Sequence, residues 1–210
     1  MTEFWETNFR DKQAMWGSDP ADSAITTANL FLEKGLKDVL IPGFGYGRNA
    51  KVFTDKGFNV TGIEISQTAI ALAKQRHGDH ITVHHGSVGE MPFDNHIYDG
   101  IFCYALIHLL NEEERASLIK DCYNQLAPGG YMVFVAIATS TPAYGEGIQL
   151  DDDWFETRHG VQLFYYKPES IKKEFGSYGL TEAIEISEPA KNIADKPSQR
   201  FWWVCCEKSE

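Results

Sequence analysis

The chain has 210 residues, of which 43% are hydrophobic and 23% are charged, so it can bury a core of its own. This composition excludes a disordered or collagen-like chain, and no apolar run approaches the roughly 20 residues that span a bilayer. The formal net charge of −11 disfavours nucleic acid as the main partner, because an acidic surface repels phosphate backbones. The first residues lack the basic and apolar regions of a secretory signal, so we expect a cytoplasmic protein with no membrane partner.

Neither the cysteines nor the acidic residues form a metal-binding pattern. The cysteines contain no C-x-x-C pair, and we expect them to be reduced and mostly buried. Asp151, Asp152 and Asp153 are consecutive, but no histidine or further acid stands at ligand spacing, which favours a solvated turn. We therefore expect no metal site.

Helices and strands are predicted to alternate along the first half of the chain. Residues 1–20 carry Phe4, Trp5 and Trp16 among polar residues, which indicates a packed arm or a lid. Apolar periodicity and glycine stops then predict a helix over 21–34, a strand over 38–41, a helix over 47–56, a strand over 58–65, a helix over 66–76 capped by Ser66, and a strand over 81–85.

The second half continues this alternation and adds an insertion. Asn111 and Glu114 have the spacing of a capping-box variant and open a helix. The elements predicted in order are a strand over 97–103, this helix with a stop at 128–130, a strand over 131–138, an insertion over 139–167 without a clear pattern, a helix over 168–178, and strands over 180–186 and 201–206. The last two strands are predicted to be antiparallel, because the loop between them has no room for a long helix. The chain is expected to form one domain over 1–210, an α/β fold with a mostly parallel sheet.

A glycine-rich turn follows the first predicted strand and opens the next helix. Gly43, Gly45 and Gly47 let the backbone turn sharply and approach a ligand. Glu64 ends the second strand, where a carboxylate can accept both hydroxyls of an adenosine ribose. A dinucleotide site needs G-x-G-x-x-G, but here the third glycine comes one position early and Arg48 follows it. The pattern predicts a nucleotide-like ligand, with a tight turn beside a solvated glutamate as the alternative.

Together with these glycines, three further motifs resemble the class I S-adenosylmethionine-dependent methyltransferases. They are residues 86–93 (GSVGEMPF), 98–103 (YDGIFC) and 126–131 (LAPGGY), which look like the family's motifs at the third strand, at the fourth strand and before the fifth. The resemblance covers most of the chain. It implies a Rossmann-like sheet of seven strands, order 3-2-1-4-5-7-6 with strand seven antiparallel and helices on both faces. It also implies S-adenosylmethionine as cofactor and S-adenosylhomocysteine as product.

Two branches of this family are most similar in their motifs. Residues 39–45 (VLIPGFG) and 60–66 (VTGIEIS), with Trp5 and Trp16, look most like the thiopurine and thiol/halide S-methyltransferases. Residues 47–50 (GRNA) resemble the tellurite-resistance methyltransferases. The resemblance therefore implies a methyltransferase for a small-molecule acceptor, with a thiol or another sulfur nucleophile as the narrower prediction.

The resemblance also implies a set of cofactor-binding residues. They are Trp16, Gly43, Phe44, Gly45, Glu64, Ile65, Ser87, Val88, Cys103 and Tyr104. Two positions depart from the family pattern: Ile41 replaces an acid that usually contacts the methionine amino group, and Ser87 replaces an acid that often faces the adenine. These departures motivate the alternative of a non-catalytic ligand-binding protein with this fold. A NAD-dependent oxidoreductase is a third interpretation.

The sequence does not fix a catalytic residue. Methyl transfer from a sulfonium depends mainly on alignment and needs a base only when the acceptor must lose a proton. Tyr104, near the methyl group by the resemblance, and the histidines His108 and His159 are the candidates. The aromatic residues of 139–167, with Trp16, are expected to wall an apolar acceptor pocket. The Asn-Pro-Pro-Tyr motif of enzymes that methylate nucleobases is absent, which again argues against nucleic acid.

Overall fold

The computed structural model, which describes residues 2–190 and 198–210, is built around a seven-stranded sheet. The described strands are β1 Asp38–Pro42, β2 Asn59–Glu64, β3 Thr82–His85, β4 Tyr98–Tyr104, β5 Leu126–Ile137, β6 Ile148–Asp151, β7 Trp154–Glu156, β8 Gln162–Phe164, β9 Leu180–Glu188 and β10 Gln199–Glu207. The main sheet has the order β3-β2-β1-β4-β5-β10-β9, and β10 is antiparallel to both of its neighbours. The predicted order is confirmed, with β9 and β10 as the sixth and seventh strands.

Helices cover both faces of this sheet. The described helices are α1 Thr2–Lys12, α2 Asp22–Glu33, α3 Ala50–Asp55, α4 Gln67–His77, α5 Glu112–Gln125 and α6 Pro168–Phe175. Phe31 of α2 is fully buried on one face, and Phe175 of α6 is fully buried on the other. Because neighbouring residues of a strand point to opposite faces, Phe102 belongs to the first of these layers and Cys103 to the second.

The predicted helix caps are present. Ser66 caps α4, where its Oγ accepts the Ala69 N–H at 3.1 Å. Asn111 and Glu114 form the predicted reciprocal capping box at the start of α5. Helix α3 begins later than predicted, because Gly47 has a φ of 77° and the chain is still in a turn there.

Strand β5 begins earlier than predicted. Leu126 already pairs with Tyr98 of β4, so the expected helix stop at residues 128–130 lies within the strand. Gly130 permits this close pairing, since a Cβ there would lie 2.7 Å from the Asp99 carbonyl oxygen. The proline and glycines therefore shape the first residues of β5 instead of preceding it.

The insertion over 139–167 contains a second sheet that the sequence analysis did not predict. Strands β6, β7 and β8 pair antiparallel in that order. With three or four residues each, they are too short to show an alternating pattern. Asp151 and Asp152 are exposed, as expected of the predicted solvated turn, but Asp153 is 8% exposed and pairs with Lys167, so the prediction was wrong for this residue.

The described part of the chain contains no candidate membrane-spanning helix, no disulfide and no candidate metal cluster. None of its helices is long and apolar enough to cross a membrane. Its cysteines are buried and carry free thiols. No group of His, Cys, Asp and Glu within residues 2–190 and 198–210 is arranged to hold a metal ion. Most of the loop that joins β9 to β10, residues 191–197, lies outside the described residues.

Candidate active site

The glycine loop lies at the carboxyl end of β1. Gly43, Gly45 and Gly47 have φ angles of 71°, 57° and 77°, which side chains rarely permit. The N–H groups of Gly43 and Phe44 both donate to the Ile63 carbonyl, at 2.9 and 3.0 Å, and fix the loop to β2. The structure thus places the predicted turn where the ends of two parallel strands meet, the position at which open α/β sheets bind ligands.

The carboxylate of Glu64 lies beside this loop at the end of β2. Its side chain is buried, and its two oxygens accept the Gly45 N–H at 2.7 Å and the Ser66 N–H at 2.9 Å. Burial raises the pKa of the Glu64 carboxyl, although these N–H groups oppose the shift. A carboxylate has about four lone-pair sites, so acceptor capacity remains on both oxygens for a ribose diol.

Helix α1 lies across the glycine loop. Glu6 on this helix accepts hydrogen bonds from the Ser66 hydroxyl at 2.7 Å and from the Thr68 N–H at 3.2 Å, and it also accepts one from the Thr68 hydroxyl. Phe9, 3% exposed, places its ring 3.8 Å from the position that a Cβ at Gly45 would take. The N-terminal segment is therefore a helix fixed to the start of α4, and sequence analysis missed Glu6 because its partners are about 60 residues away.

Replacing Glu6 by glutamine is expected to loosen α1. The hydroxyls of Thr68 and Ser66 lower the pKa of the Glu6 carboxyl below its ordinary value of 4.5. The contact of the ionised form is thus complete above pH 4.5 and is lost as the pH falls through the lower pKa of the folded protein. We expect hydrogen exchange of the α1 amides to be about 5-fold faster in the Glu6→Gln variant at pH 6. Glu3→Gln on the same helix is the matched control and should leave exchange unchanged; equal exchange in both variants would show that Glu6 does not hold α1.

Trp16 lies next to Tyr46 of the loop, near the surface. The two rings stack with centroids 6.2 Å apart and planes 9° apart, and Trp16 remains 43% exposed. The Tyr46 hydroxyl accepts the Trp16 N–H at 3.1 Å and donates to the Gly17 carbonyl at 2.8 Å. These contacts connect the segment after α1 to the glycine loop.

Ser87 lies in a tight turn after β3, and its side chain is already hydrogen-bonded. The Ser87 Oγ accepts the Gly89 N–H at 3.2 Å, while Glu90 Oε2 accepts the Ser87 N–H at 3.1 Å. The same Glu90 oxygen lies 3.0 Å from the position of a Cβ at Gly86. Glu90 therefore brings a carboxylate to the turn in which Ser87 replaces the family's acid. Sequence analysis missed it, although the S-x-x-E capping spacing was there to be noticed.

Most of the apolar candidates for cofactor binding have their side chains in the core. Phe44, Val88 and Cys103 are 5%, 9% and 0% exposed, and Ile41, which replaces the family's acid, is 3% exposed. Burial also raises the pKa of the Cys103 thiol, so this side chain is uncharged at neutral pH. Ile65 is half-buried, and its carbonyl oxygen lies 3.1 Å from a ring nitrogen of His85. At these positions the backbone is the part left to face a ligand.

Tyr104 ends β4 and lies on the face opposite Cys103. Its ring stacks on Phe201 of β10 with centroids 6.3 Å apart, and the guanidinium carbon of Arg48 lies 5.5 Å from its centroid. Burial and then the charge of Glu188 raise the pKa of the Tyr104 phenol, while the charge of Arg48 opposes this shift. The phenol is therefore protonated at neutral pH.

The two histidine candidates lie in different surroundings. His108 is buried with its ring centroid 6.2 Å from that of Phe201, and its Nδ1 accepts the Ile137 N–H at 3.2 Å. Burial lowers the pKa of His108 to about 3, so this imidazole is neutral across the physiological range. His159 is exposed in the turn between β7 and β8, where its ring accepts the Arg158 Nε–H at 3.3 Å. The structure brings Tyr104 and His108 to the same phenylalanine and places His159 on the small sheet.

Residues 40–134 match the model of a family described as a methyltransferase domain. This range contains the glycine loop, Glu64, β4 and the start of β5. The chain thus contains a methyltransferase domain. The family resemblance and the enzyme class inferred from the sequence are confirmed.

Two curated proteins are similar in sequence to this methyltransferase. Thiocyanate methyltransferase 1 of Arabidopsis thaliana is 24% identical over 156 residues, which cover 72% of this chain and 69% of the plant protein. The ubiquinone biosynthesis O-methyltransferase of Nitrosospira multiformis is 27% identical over 112 residues, or 51% of this chain and 46% of the bacterial protein. The first relative agrees with the S-methyltransferase branch of the resemblance.

Solved methyltransferase structures share the fold of this methyltransferase. The Burkholderia thailandensis 1,6-didemethyltoxoflavin-N1-methyltransferase, crystallised with S-adenosylhomocysteine, has a TM-score of 0.75 at 15% identity and covers 100% of this chain and 87% of its own. TehB of Haemophilus influenzae has a TM-score of 0.69 at 20% identity and covers 98% of this chain and 67% of its own. At these identities the likeness shows the fold alone.

The donor set of the methyltransferase fits the cofactor of its family. S-adenosylmethionine carries a ribose diol, and the buried carboxylate of Glu64 is an acceptor with spare capacity next to a loop that has glycine at positions 43, 45 and 47. Glycine at position 45 permits the φ of 57° that brings its N–H to Glu64, and the ring of Phe9 packs 3.8 Å from its Cβ position. The replacement of an acid by Ile41 or Ser87 does not alter either of these features.

Proposed function

We propose that this methyltransferase transfers the methyl group of S-adenosylmethionine to a sulfur nucleophile on a small molecule. The observation that carries the proposal is that neither Tyr104 nor His108, the two candidates that meet at Phe201, has a pKa near neutrality. Burial keeps the phenol of Tyr104 protonated and lowers the pKa of His108 to about 3, which makes this imidazole a weak base, and the Nδ1 of His108 is already hydrogen-bonded. The similarity to a thiocyanate methyltransferase supports the same acceptor class.

The missing base selects acceptors that ionise without help. A thiol with a pKa of about 8.5 supplies a few per cent of thiolate at pH 7, and the thiolate is a strong nucleophile. A phenol with a pKa of about 10 supplies much less of its anion, and an alcohol or a protonated amine must first give its proton to a base. A site without such a base therefore favours sulfur.

We assign the parts of the cofactor to the residues that match the family's motifs and have suitable hydrogen-bonding groups. Bound S-adenosylmethionine supplies a methyl group on a positively charged sulfur, which needs no further activation. Glu64 would accept the ribose hydroxyls, and the carbonyl oxygens of Gly43, Phe44 and Gly45 would accept hydrogen bonds from the amino group of the amino-acid end, since their N–H groups already donate to Ile63 and Glu64. The adenine would lie near Ile65, Ser87 and Val88, where Glu90 offers an acceptor. The backbone of Cys103 and the ring of Tyr104 would adjoin the reacting groups, and Trp16 would cover the site.

For the acceptor, the chain provides an aromatic surface at the ends of β4 and β10. Tyr104 and Phe201 form this surface, with His108 behind Phe201. Helix α1 and the segment up to Trp16 lie over the neighbouring glycine loop and would keep water from the reacting groups. Alignment of the two groups in a dry site supplies most of the rate enhancement for this kind of displacement.

The dependence of the rate on pH tests the sulfur assignment. We expect kcat/KM to rise with pH and to follow the ionisation of the thiol, because the site contributes no base. With 2-mercaptoethanol and the more acidic thiophenol as acceptors, the inflection should move to lower pH for thiophenol. Release of S-adenosylhomocysteine at saturating cofactor measures both profiles. An inflection at the same pH for both thiols would reveal a base in the protein, and methylation of a phenol or an amine but of neither thiol would show that the acceptor is not sulfur.

A further inference from the structure

Arg48 extends from the glycine loop towards the end of β4. It follows Gly47 directly, and its guanidinium carbon lies 5.5 Å from the centroid of the Tyr104 ring. Its Nη1 donates to the Trp16 carbonyl at 3.2 Å and to the Asp19 carbonyl at 3.3 Å. Both bonds start from the same nitrogen, and the guanidinium also hydrogen-bonds to the Tyr104 phenol. Because a guanidinium has five N–H donors, these three contacts leave donors free for a ligand.

The charge of Arg48 has no carboxylate partner within residues 2–190 and 198–210. By contrast, Arg115 pairs with Glu174 and Arg200 pairs with Glu185, at 3.0 and 2.7 Å. Among the described residues Arg76 and Arg158 also lack a carboxylate partner, but Arg48 is the arginine that lies over the ring of Tyr104. Its planar fork of N–H donors matches a carboxylate or another oxyanion, which it binds through two parallel hydrogen bonds.

The acidic groups near Tyr104 do not form an ion pair with Arg48. Glu188 acts on the phenol electrostatically, but its two oxygens accept the N–H groups of Asp22 and Ser23 at 2.8 and 3.1 Å. Those N–H groups begin helix α2, whose positive end stabilises the Glu188 carboxylate. Asp22, the second acid that raises the pKa of the Tyr104 phenol, accepts the Ala190 N–H at 2.7 Å. Both acids thus have N–H partners of their own, and the positive charge of Arg48 is left for a ligand.

We propose that Arg48 binds a carboxylate carried by the methyl acceptor at a distance from its nucleophilic sulfur. The inference rests on the proposed function, because it assigns the charge of that function's acceptor. Pairing Arg48 with the nucleophilic thiolate itself would stabilise the nucleophile and slow its attack, whereas a second anionic group can be held without this loss. The aromatic surface of Tyr104 and Phe201 then lies beside the anchored acceptor.

A second carboxylate is available to Arg48, since the amino-acid end of the cofactor also carries one. Two measurements separate the sources. The first is the affinity of each variant for S-adenosylhomocysteine alone. The second is the preference of the protein, saturated with S-adenosylhomocysteine, for 3-mercaptopropionate over 3-mercaptopropionamide. These two probes have nearly the same shape and differ in charge, and titration calorimetry measures the binding of each.

In the Arg48→Met variant we expect the affinity for 3-mercaptopropionate to fall about 10- to 100-fold, with no change for the amide or for S-adenosylhomocysteine. Arg48→Lys keeps the charge without the planar fork and should retain part of the preference. Arg76→Met is the matched control, because Arg76 also donates to a carbonyl of the same segment, Ser18 at 2.9 Å, and lies 5.4 Å from the ring of Tyr46. It should behave as the unmodified protein does.

Several outcomes would overturn the inference. One is an unmodified protein that binds both probes equally or neither of them. Another is an Arg48→Met variant that loses affinity for S-adenosylhomocysteine alone, which would assign Arg48 to the cofactor. Equal losses for both probes, or the same loss in Arg76→Met, would show that Arg48 only fixes the segment after α1. If the protein methylates the amide and shows no preference for the carboxylate, this inference is overturned and the proposed function stands. If it prefers the carboxylate in binding but methylates neither thiol, the proposed function is overturned and this inference stands.

Discussion

Replacing Glu64 by glutamine is expected to weaken the binding of S-adenosylhomocysteine about 100-fold or more. The variant loses the charge that would strengthen two hydrogen bonds from the ribose, each worth about 1.5 to 3 kcal/mol when one partner is ionised. It also replaces one of the two oxygens that accept the N–H groups of Gly45 and Ser66 with an amide nitrogen. Titration calorimetry measures the loss of affinity. Part of this loss comes from the weaker hydrogen bonds to the ribose, and part comes from the altered geometry of the loop.

A matched control separates these contributions from a general effect of removing a glutamate. Glu182 is exposed on β9, so Glu182→Gln makes the same chemical change on the same sheet away from the loop. The thermal midpoint of each variant without ligand reports the effect on the loop itself, and the shift of that midpoint with S-adenosylhomocysteine reports binding. An affinity of Glu64→Gln within a factor of two of the unmodified protein would place the ribose elsewhere.

The part of the site that could be predicted from sequence is the part built by neighbouring residues. A strand followed by Gly43, Gly45 and Gly47 specifies its own turn, and Ser66 caps the helix that starts beside it. The alternation of strands and helices predicts a mostly parallel sheet, and the family resemblance implied its strand order. The order is also what places Glu64 next to Gly45 across 19 positions of the chain.

The remainder of the site depends on contacts between distant residues. Glu6 meets Ser66 across 60 positions, and Arg48 meets the Trp16 carbonyl across 32. No local sequence pattern predicts such contacts, since an exposed helix and a helix packed on the glycine loop can have the same composition. The position of His108 shows the same limit, because a histidine after a strand is equally compatible with a free base and with the buried acceptor of the Ile137 N–H that the structure contains.

Replacing Arg115 by methionine is expected to reduce the free energy of unfolding by about 3 to 5 kcal/mol, the usual cost of breaking a buried ion pair. Arg115 is 3% exposed, and its Nη2 lies 3.0 Å from Glu174 on α6. It also donates to the Leu110 carbonyl at 3.1 Å and lies 3.9 Å over the ring of Phe164 in the small sheet. The variant leaves the Glu174 carboxylate buried without its cation, and urea unfolding followed by circular dichroism measures the loss.

The same two helices supply the control. Lys173 and Glu112 also bridge α6 and α5 at 2.8 Å, but both side chains are about 70% exposed, so solvent screens their attraction and Lys173→Met should leave the urea midpoint nearly unchanged. In the double variant Arg115→Met, Glu174→Leu no buried charge remains, and most of the lost stability should return. If the double variant is no more stable than Arg115→Met, the stabilisation comes instead from the stacking of Arg115 on Phe164. In that case the small sheet, and not α6, is the element that Arg115 holds in place.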